Sequence, residues 1–292
     1  MKVGVIGLGR MGGPMAAHIL AGGHALTILD VLPDAMEGLA DKGARIAQTP
    51  AEVAEQSEIV LTSLPGAKEV ETVMIGDDGV LSGATRGMVV LDASTVGPAL
   101  SRRLSARFAE KGIDYLDSPV SGAVAGAKAG TLTIMVGGER AAFDRAMPVL
   151  DCIGSRVHHM GPSGSGNGIK LVNQLIVTSY FAAFMEGVAL ADRLEIPVEK
   201  TLEILGASYA DQPSMRSRFD KILRNDFSPP NRLNSSLEDI TLVCELAAEL
   251  NLGASIAEAA ADSYRRAEAQ GFGENDLVSL RAMYAKSKHG SL

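Results

Sequence analysis

A short glycine-rich segment near the start of the chain has the spacing of a nucleotide-binding turn. An apolar run at residues 3–6 leads directly into Gly7-Leu8-Gly9-Arg10-Met11-Gly12. In this pattern the first glycine permits a tight turn, the second lets the backbone approach a pyrophosphate, and the third lets the next helix pack on the strand. The positive end of that helix attracts phosphate. The segment therefore predicts a dinucleotide-binding site.

Asp30 stands where a carboxylate selects between the two nicotinamide dinucleotides. It ends the next strand-like run, 23 residues after Gly7 (30 − 7), a spacing typical of a carboxylate that binds the ribose hydroxyls. The same carboxylate would repel a 2′-phosphate. Val31 and Leu32 follow it and could not neutralise that phosphate, and Arg10 is better placed along the pyrophosphate. The sequence therefore predicts NAD as cofactor and disfavours NADP.

Lys170 is a titratable residue within a mostly apolar stretch. It opens a long apolar helix predicted from Ile169 to about Leu194, with Asn173 three positions on and Gln174 four, so all three side chains share a face. A lysine titrates near pH 10.4 in water, so catalysis at neutral pH would require desolvation or a nearby positive charge. The alternative is that the ammonium group only extends to solvent.

The turn Ser121-Gly122-Ala123 is the candidate anion site. Small residues leave their backbone N–H groups exposed, so these groups could donate hydrogen bonds to a carboxylate. The alternative is a flexible hinge after a strand. No cluster of histidine, cysteine and acidic residues indicates a metal, and Cys152 and Cys244 stand far apart, as expected for reduced thiols of a cytoplasmic protein.

The elements that must position these residues change character halfway along the chain. The first half alternates short apolar runs with helical stretches, which predicts a parallel sheet with helices on both faces. The predicted strands are Lys2–Gly7, Ala25–Asp30, Ile59–Ser63, Val89–Asp92, Ile113–Asp117 and Leu132–Val136. The second half is helical, with predicted helices at Glu199–Leu205, Leu233–Leu250, Ile256–Gln270 and Asp276–Lys288. We predict an α/β Rossmann-like domain at 1–162 and an all-α domain at 163–292 that begins with a long interdomain helix.

Composition restricts the partners. The formal net charge of −8 gives no basic stripe for nucleic acid. The sequence contains no run of about 18 apolar residues, so we expect no membrane span. The N-terminus lacks the pattern of a signal peptide. The apolar stretches Leu242–Leu250 and Ile256–Ala261 favour a subunit interface in a homodimer or homotetramer.

Taken together, the motifs resemble those of the β-hydroxyacid dehydrogenase family along nearly the whole chain. The matching segments are the glycine turn, Leu64-Pro65, Asp92-Ala93-Ser94-Thr95, Asp117 to Ala123, Gly126-Ala127 with Gly130-Thr131-Leu132, and Gly164 to Gln174. The resemblance implies hydride transfer between NAD(H) and a small 3-hydroxyacid or its semialdehyde. It implies that Leu64, Pro65 and Thr95 line the nicotinamide half and that Ser121, Gly122 and Ala123 hold the substrate carboxylate. Lys170 is implied as the acid/base beside Asn173, and Lys170, Asn173 and Gln174 are predicted to bind the substrate as well.

Two positions depart from that family. Glu238 stands where a lysine is common, and Ala123 replaces the last glycine of a Ser-Gly-Gly turn. An acidic Glu238 would suit a cationic substrate, so an imine reductase is one alternative. A non-catalytic sensor of NAD is another, although such a protein would not need Lys170.

Overall fold

A computed structural model of the chain describes residues 1–229 and 232–286. The chain divides into two compact units, Met1–Lys170 and Leu171–Leu292, which we call the N-terminal unit and the helical unit. The division lies inside one 29-residue helix, Ser165–Arg193. The predicted architecture of a Rossmann-like domain, a long connecting helix and an all-α domain is confirmed.

The N-terminal unit is built on one sheet. Its described strands are β1 Lys2–Ile6, β2 Ala25–Leu29, β3 Arg45–Ile46, β4 Ile59–Thr62, β5 Val89–Asp92, β6 Asp114–Asp117, β7 Val120–Ser121, β8 Leu132–Gly137 and β9 Gly154–Gly161. The order is β3-β2-β1-β4-β5-β6-β8-β7, with β9 paired to β8. Strands β1 to β6 are parallel, whereas β8 runs antiparallel to β6 and β7. The sheet is therefore parallel at its centre and mixed at one end.

Helices cover both faces of this sheet, which explains why the central strands are continuously apolar. The helices are α1 Gly12–Ala21, α2 Asp34–Ala40, α3 Pro50–Glu55, α4 Ala67–Ile75, α5 Val80–Gly83, α6 Pro98–Ala109, α7 Ala123–Ala129 and α8 Arg140–Ile153. Successive strand residues alternate between two cores, as the pleat requires. Leu61 and Leu91 lie in the core with α1 and α8, and Val60 and Val90 in the core with α4 and α6.

The helical unit contains the rest of the long helix, α9 Ser165–Arg193. It is followed by α10 Val198–Gly206, α11 Pro213–Arg216, α12 Phe219–Arg224, α13 Leu233–Glu249, α14 Ser255–Ala267 and α15 Leu280–Lys286. A π-helical segment, Glu268–Phe272, and a 3₁₀ turn, Leu277–Ser279, precede α15. Positions 287 and 288 of the last predicted helix lie outside the described residues. The core is formed mainly by aromatic and aliphatic side chains of α9, α13 and α14.

The α9 helix bears on two predictions about partners. Among the described residues it is the one helix long and apolar enough to span a membrane, and 39% of its most apolar window is buried inside the structure. Core helices of globular proteins meet the same criteria, so the absence of a membrane span stays a prediction. Val172, Ile176 and Leu190 on α9 and Leu194 directly after it are exposed, which suits the predicted homodimer or homotetramer without testing it.

Candidate active site

The glycine-rich turn joins β1 to α1, and its three glycines have different reasons to be glycine. Gly7 has a φ of +87°, and a Cβ on it would lie 2.3 Å from the Ser63 carbonyl oxygen. A Cβ on Gly12 would lie 1.8 Å from the Gly7 carbonyl oxygen. Around Gly9, in contrast, no described atom lies within 4 Å of a built Cβ. Packing explains the first and third glycines, whereas the second has the open space that a pyrophosphate would need.

The N-terminus of α1 faces the same turn. Its N-cap residue, Met11, makes no side-chain hydrogen bond to the helix, so no side-chain cap of its own covers the first-turn N–H groups. The open side of Gly9 and this uncapped helix end are the two features that anion binding at a Rossmann turn requires. The residues present therefore fit a dinucleotide pyrophosphate.

Asp30 lies at the end of β2, beside the turn. Its Oδ2 accepts a hydrogen bond from the Leu8 N–H at 2.6 Å, and its Oδ1 accepts one from the Leu32 N–H at 2.8 Å. An ionised carboxylate can accept about four hydrogen bonds, so capacity remains for ribose hydroxyls. The side chains that follow are apolar and open to solvent, with Val31 94% exposed and Leu32 65% exposed. The position fits a ribose, and the two residues that follow Asp30 offer no cation for a phosphate.

A second carboxylate, Asp92, connects three neighbouring strands. It is fully buried at the end of β5, where it accepts hydrogen bonds from Thr62 Oγ1 on β4 at 2.8 Å and Tyr115 OH on β6 at 2.8 Å. The Ser94 N–H donates to it at 3.1 Å, and Ser94 Oγ in turn accepts from the Leu64 N–H at 2.9 Å. Burial raises the pKa of Asp92, and these hydrogen bonds only partly offset the effect. Asp92 thus fixes the start of the loop that carries Leu64 and Pro65.

A third carboxylate, Asp117, anchors the first turn of α9. Its Oδ1 accepts from the Gly164 N–H at 2.7 Å and its Oδ2 from the Asn167 N–H at 2.8 Å. Burial raises the pKa of Asp117, the two N–H donors lower it, and the nearby Asp92 raises it further. Because Asp117 accepts two N–H groups at the start of the helix, α9 begins at Ser165, four residues before the predicted start at Ile169.

Lys170 lies in the second turn of α9 and is only 9% exposed, whereas most lysines in proteins keep their ammonium groups in water. It is the last residue of the N-terminal unit. Ser121 lies in the edge strand β7, opposite Thr133 of β8. Gly122 and Ala123 follow with φ values of +137° and +53°. Turns of this kind can present adjacent backbone N–H groups to an anion.

The remaining predicted residues belong to the helical unit. Asn173 Nδ2 donates to Gln174 Oε1 at 3.0 Å, and Gln174 Nε2 donates to Asp239 Oδ2 on α13. Glu238 precedes Asp239 and is exposed. Three arginines of this unit form ion pairs with other acids: Arg216 with Asp211, Arg218 with Asp276, and Arg232 with Glu274.

The structure therefore gathers one set of predicted residues at the carboxyl edge of the parallel strands. The glycine turn follows β1, Asp30 follows β2, Leu64 and Pro65 follow β4, and Thr95 follows β5. The strand order reverses between β1 and β4, which is where open α/β sheets bind ligands. Sequence reasoning assigned no role to Asp92, Asp117 or Asn167. The sequence does show Asp92 and Asp117 as polar side chains at the ends of buried strands, and Asn167 as a polar side chain in the glycine-rich stretch at the start of α9. Among the described residues no group of three potential metal ligands occurs.

This sheet, glycine turn and strand-end carboxylate define a nicotinamide dinucleotide-binding oxidoreductase domain, and comparison with known proteins agrees. Residues 2–161 match the model described as the NAD binding domain of 6-phosphogluconate dehydrogenase. Residues 164–284 match the model described as NAD-binding of NADP-dependent 3-hydroxyisobutyrate dehydrogenase. The chain belongs to the β-hydroxyacid dehydrogenase family and is an NAD(P)-dependent oxidoreductase.

Individual relatives cover almost the whole chain. The 2-(hydroxymethyl)glutarate dehydrogenase of Eubacterium barkeri is 37% identical over 96% of this chain and 93% of its own. The 3-sulfolactaldehyde reductase of Escherichia coli is 32% identical over 95% of this chain and 94% of its own. The crystal structure of a 3-hydroxyisobutyrate dehydrogenase from Salmonella typhimurium matches with a TM-score of 0.90 at 28% identity, covering 97% and 99%. An imine reductase from Pseudomonas sp. covers 97% and 98% with a TM-score of 0.63 at 21% identity, which shows a shared fold alone.

Proposed function

We propose that this enzyme transfers hydride between NAD(H) and a small 3-hydroxyacid or its semialdehyde, with Lys170 as the general acid/base. The observation that carries the proposal is the position of a buried lysine. Lys170 lies in the second turn of a helix whose first turn is bound by Asp117 at the carboxyl edge of the sheet. The loops proposed to line the cofactor begin at that same edge, where their strands end. A lysine held near the reacting atoms is suited to exchange a proton with a substrate oxygen.

Reduction of a carbonyl group to an alcohol requires one hydride and one proton. When bound, the nicotinamide supplies a hydride to the carbonyl carbon in reduction, or accepts one in oxidation. As the carbonyl oxygen gains negative charge, the Lys170 ammonium gives it the Nζ proton, leaving a neutral amine and an alcohol. In the reverse direction the neutral amine takes that proton back. Asn173 would hold the same oxygen through its amide, an interaction that in other enzymes contributes about 10²–10³ in rate.

The turn at residues 121–123 would bind the substrate carboxylate. Its positive φ values support this role because such a backbone can present adjacent N–H donors to one anion. The names of the two relatives point to the same chemistry, since each contains an acid group close to a hydroxymethyl or aldehyde carbon. These features support a short acid with a terminal alcohol or aldehyde as the substrate class.

NAD is the proposed cofactor in preference to NADP. Asp30 has acceptor capacity for a ribose, and the exposed side chains of Val31 and Leu32 offer no positive charge for a 2′-phosphate. An uncompensated carboxylate beside a phosphate would be repulsive.

Initial rates test the class and the cofactor together. The panel contains glyoxylate, succinic semialdehyde, tartronate semialdehyde, methylmalonate semialdehyde and a cyclic imine, each with NADH and with NADPH. We expect turnover of at least one semialdehyde, faster with NADH. Turnover of the imine alone would favour an imine reductase, and NADH binding without any turnover would favour a sensor.

The role of Lys170 is tested with Lys170→Ala and an exposed control, Lys200→Ala on α10. We expect Lys170→Ala to lose at least about 10²-fold in kcat, in line with general acid/base catalysis, while NADH binding measured by fluorescence is unchanged. Lys200→Ala should match the parent enzyme. Parental turnover in Lys170→Ala would remove the acid/base assignment.

A further inference from the structure

The side chain of Asn167 joins two elements of the N-terminal unit that the proposed reaction must keep in register. It is fully buried in the first turn of α9. Its Oδ1 accepts from the Val96 N–H at 3.1 Å, and its Nδ2 donates to Ser101 Oγ on α6 at 3.1 Å. Val96 directly follows Thr95, the residue proposed to line the nicotinamide. One amide group therefore connects the helix that carries Lys170 to the loop that carries Thr95.

Asp117 completes the attachment from the neighbouring strand. Its two oxygens accept the Gly164 and Asn167 N–H groups, so four hydrogen bonds in all fix this turn. They come from the end of β6, from the loop after β5 and from α6. A turn held from three elements can neither slide along its axis nor rotate about it without breaking a buried hydrogen bond.

The packing leaves no free space for such a shift. A Cβ on Gly166 would lie 2.4 Å from the Met135 carbonyl oxygen and 2.5 Å from the Asp117 carbonyl oxygen. The helix backbone therefore lies directly against the sheet edge. Lys170 is three residues beyond Asn167, an axial rise of about 4.5 Å along the same rigid helix. Any displacement of the first turn would be passed to Lys170 almost undiminished.

We propose that Asn167 is a positioning residue which, with Asp117, sets the distance between Lys170 Nζ and the nicotinamide-lining loop at Thr95. The inference rests on the proposed acid/base role of Lys170. An amide is the side chain that suits the position because it needs one acceptor for Val96 and one donor for Ser101. A carboxylate would lack the donor, and an apolar residue would lack both.

Positioning predicts a particular kinetic signature. Proton and hydride transfer require the reacting groups to be held in near-attack geometry, and a misplacement of about 1 Å can cost about 10²-fold in rate. The residues of this turn are not among those proposed to bind the pyrophosphate or the carboxylate. Loosening it should therefore lower kcat while leaving KM and the Kd for NADH nearly unchanged.

Two variants remove different numbers of the hydrogen bonds that hold the first turn of α9, and a third variant serves as a control. Asn167→Ala removes both side-chain hydrogen bonds, and Ser101→Ala removes only the acceptor of Nδ2. Ser57→Ala removes a hydroxyl of similar burial whose hydrogen bond, to the Val53 carbonyl oxygen, lies in α3 and the turn after it. We expect kcat to fall about 10- to 100-fold in Asn167→Ala and about 3- to 10-fold in Ser101→Ala. KM and the NADH Kd should change less than about threefold, and Ser57→Ala should retain the parental kcat.

Double variants show whether the effect passes through Lys170. Once Lys170 is replaced by alanine there is no proton donor to position, so Lys170→Ala/Ser101→Ala should have the same kcat as Lys170→Ala. If the two losses multiply, Ser101 and Asn167 act by some other route and the inference is wrong. Should Asn167→Ala fail to fold, Ser101→Ala and this double variant still decide the question.

Failure of this inference is distinguishable from failure of the proposed function. A Lys170→Ala enzyme with parental turnover removes the acid/base role, and the positioning role falls with it. A Lys170→Ala enzyme with little turnover, beside Asn167→Ala and Ser101→Ala enzymes with parental kcat, leaves the proposed function intact and overturns the positioning role alone.

Discussion

The two units bury polar side chains in different ways. In the N-terminal unit many of them gather at the carboxyl edge of the sheet, where Thr62, Asp92, Ser94, Asp117 and Asn167 bind one another or the backbone. In the helical unit the buried acid Asp276 faces a buried arginine. The first arrangement holds several loops in register at one place, and the second joins separate segments of a helical core.

The counter-charge is the main physical difference. Asp276 Oδ1 lies 3.5 Å from Arg218 Nε, and the Arg218 guanidinium also lies over the Phe181 ring at 4.8 Å from its centroid. The hydrogen bonds that Asp92 and Asp117 receive come from hydroxyl and N–H donors, which carry no net charge. Burial raises the pKa of both carboxyl groups for this reason. The buried acid of the helical unit thus has a counter-charge, whereas the buried acids of the sheet edge hold loops in place at some cost in stability.

Removing the acid of the helical unit should produce the largest effect. In Asp276→Ala the buried Arg218 loses its counter-charge, and Val278 N–H loses its acceptor at 3.2 Å. Breaking a buried pair from one side destabilises by about 3–5 kcal/mol. We expect that loss in the free energy of unfolding, measured by urea denaturation, with an unchanged NADH Kd for the folded fraction. A loss below about 1 kcal/mol would mean that Asp276 is as dispensable as a surface acid.

Asp92→Asn should act in the opposite direction at neutral pH. The folded pKa of Asp92 is raised, so between its ordinary value of 3.8 and the raised value the folded chain binds more protons than the unfolded chain. Stability contributed by this group therefore falls as pH rises through that range. Each unit by which the pKa is raised corresponds to about 1.4 kcal/mol.

Denaturation of Asp92→Asn at a series of pH values from acid to neutral measures this effect. We expect its stability relative to the parent to increase as pH rises, because asparagine removes the buried charge and keeps an acceptor for Thr62 or Tyr115. Asp41→Asn at an exposed position makes the same change of charge and should show a flatter difference. A difference for Asp92→Asn that is equally flat would show that the buried carboxylate has no such cost.

The sequence predicted those elements whose cause is local. The central strands were found because both of their faces are buried, and the glycine turn because strand, turn and helix follow one another. Three strands were missed: β3 and β7 have two residues each, and β9 carries polar, exposed residues that give no apolar pattern. The start of α9 was placed too late because a glycine-rich stretch favours a loop unless a distant carboxylate binds its N–H groups.

The network at the sheet edge could not be predicted for a related reason. Thr62 and Asp92 are 30 residues apart in sequence, Asp117 and Asn167 are 50 apart, and Asn167 and Ser101 are 66 apart. Thr62 and Asp92 meet because parallel strands bring their carboxyl ends to one edge, and the other two pairs meet because α9 packs its first turn against that edge. A polar residue at a strand end was visible in the sequence, but its partner was not.

The smallest expected effect concerns backbone strain at the proposed anion site. Ala123 has a φ of +53°, a conformation that costs an L-residue roughly 1–2 kcal/mol and costs glycine almost nothing. Glycine also has more freedom in the unfolded chain, which returns about 0.5–1 kcal/mol of that gain. Ala123→Gly should therefore stabilise the protein by up to about 1 kcal/mol, or raise Tm by about 2–4 °C.

A matched change two residues away decides whether strain is the cause. Ala125 is exposed within α7, where glycine should cost about 1 kcal/mol relative to alanine. The same substitution should thus stabilise at 123 and destabilise at 125. Opposite signs would show a second stability cost in the unit that holds the buried carboxylates, as expected where geometry for a ligand takes precedence over stability. Equal destabilisation would show that position 123 carries no strain and that the costs of this unit are confined to its buried acids.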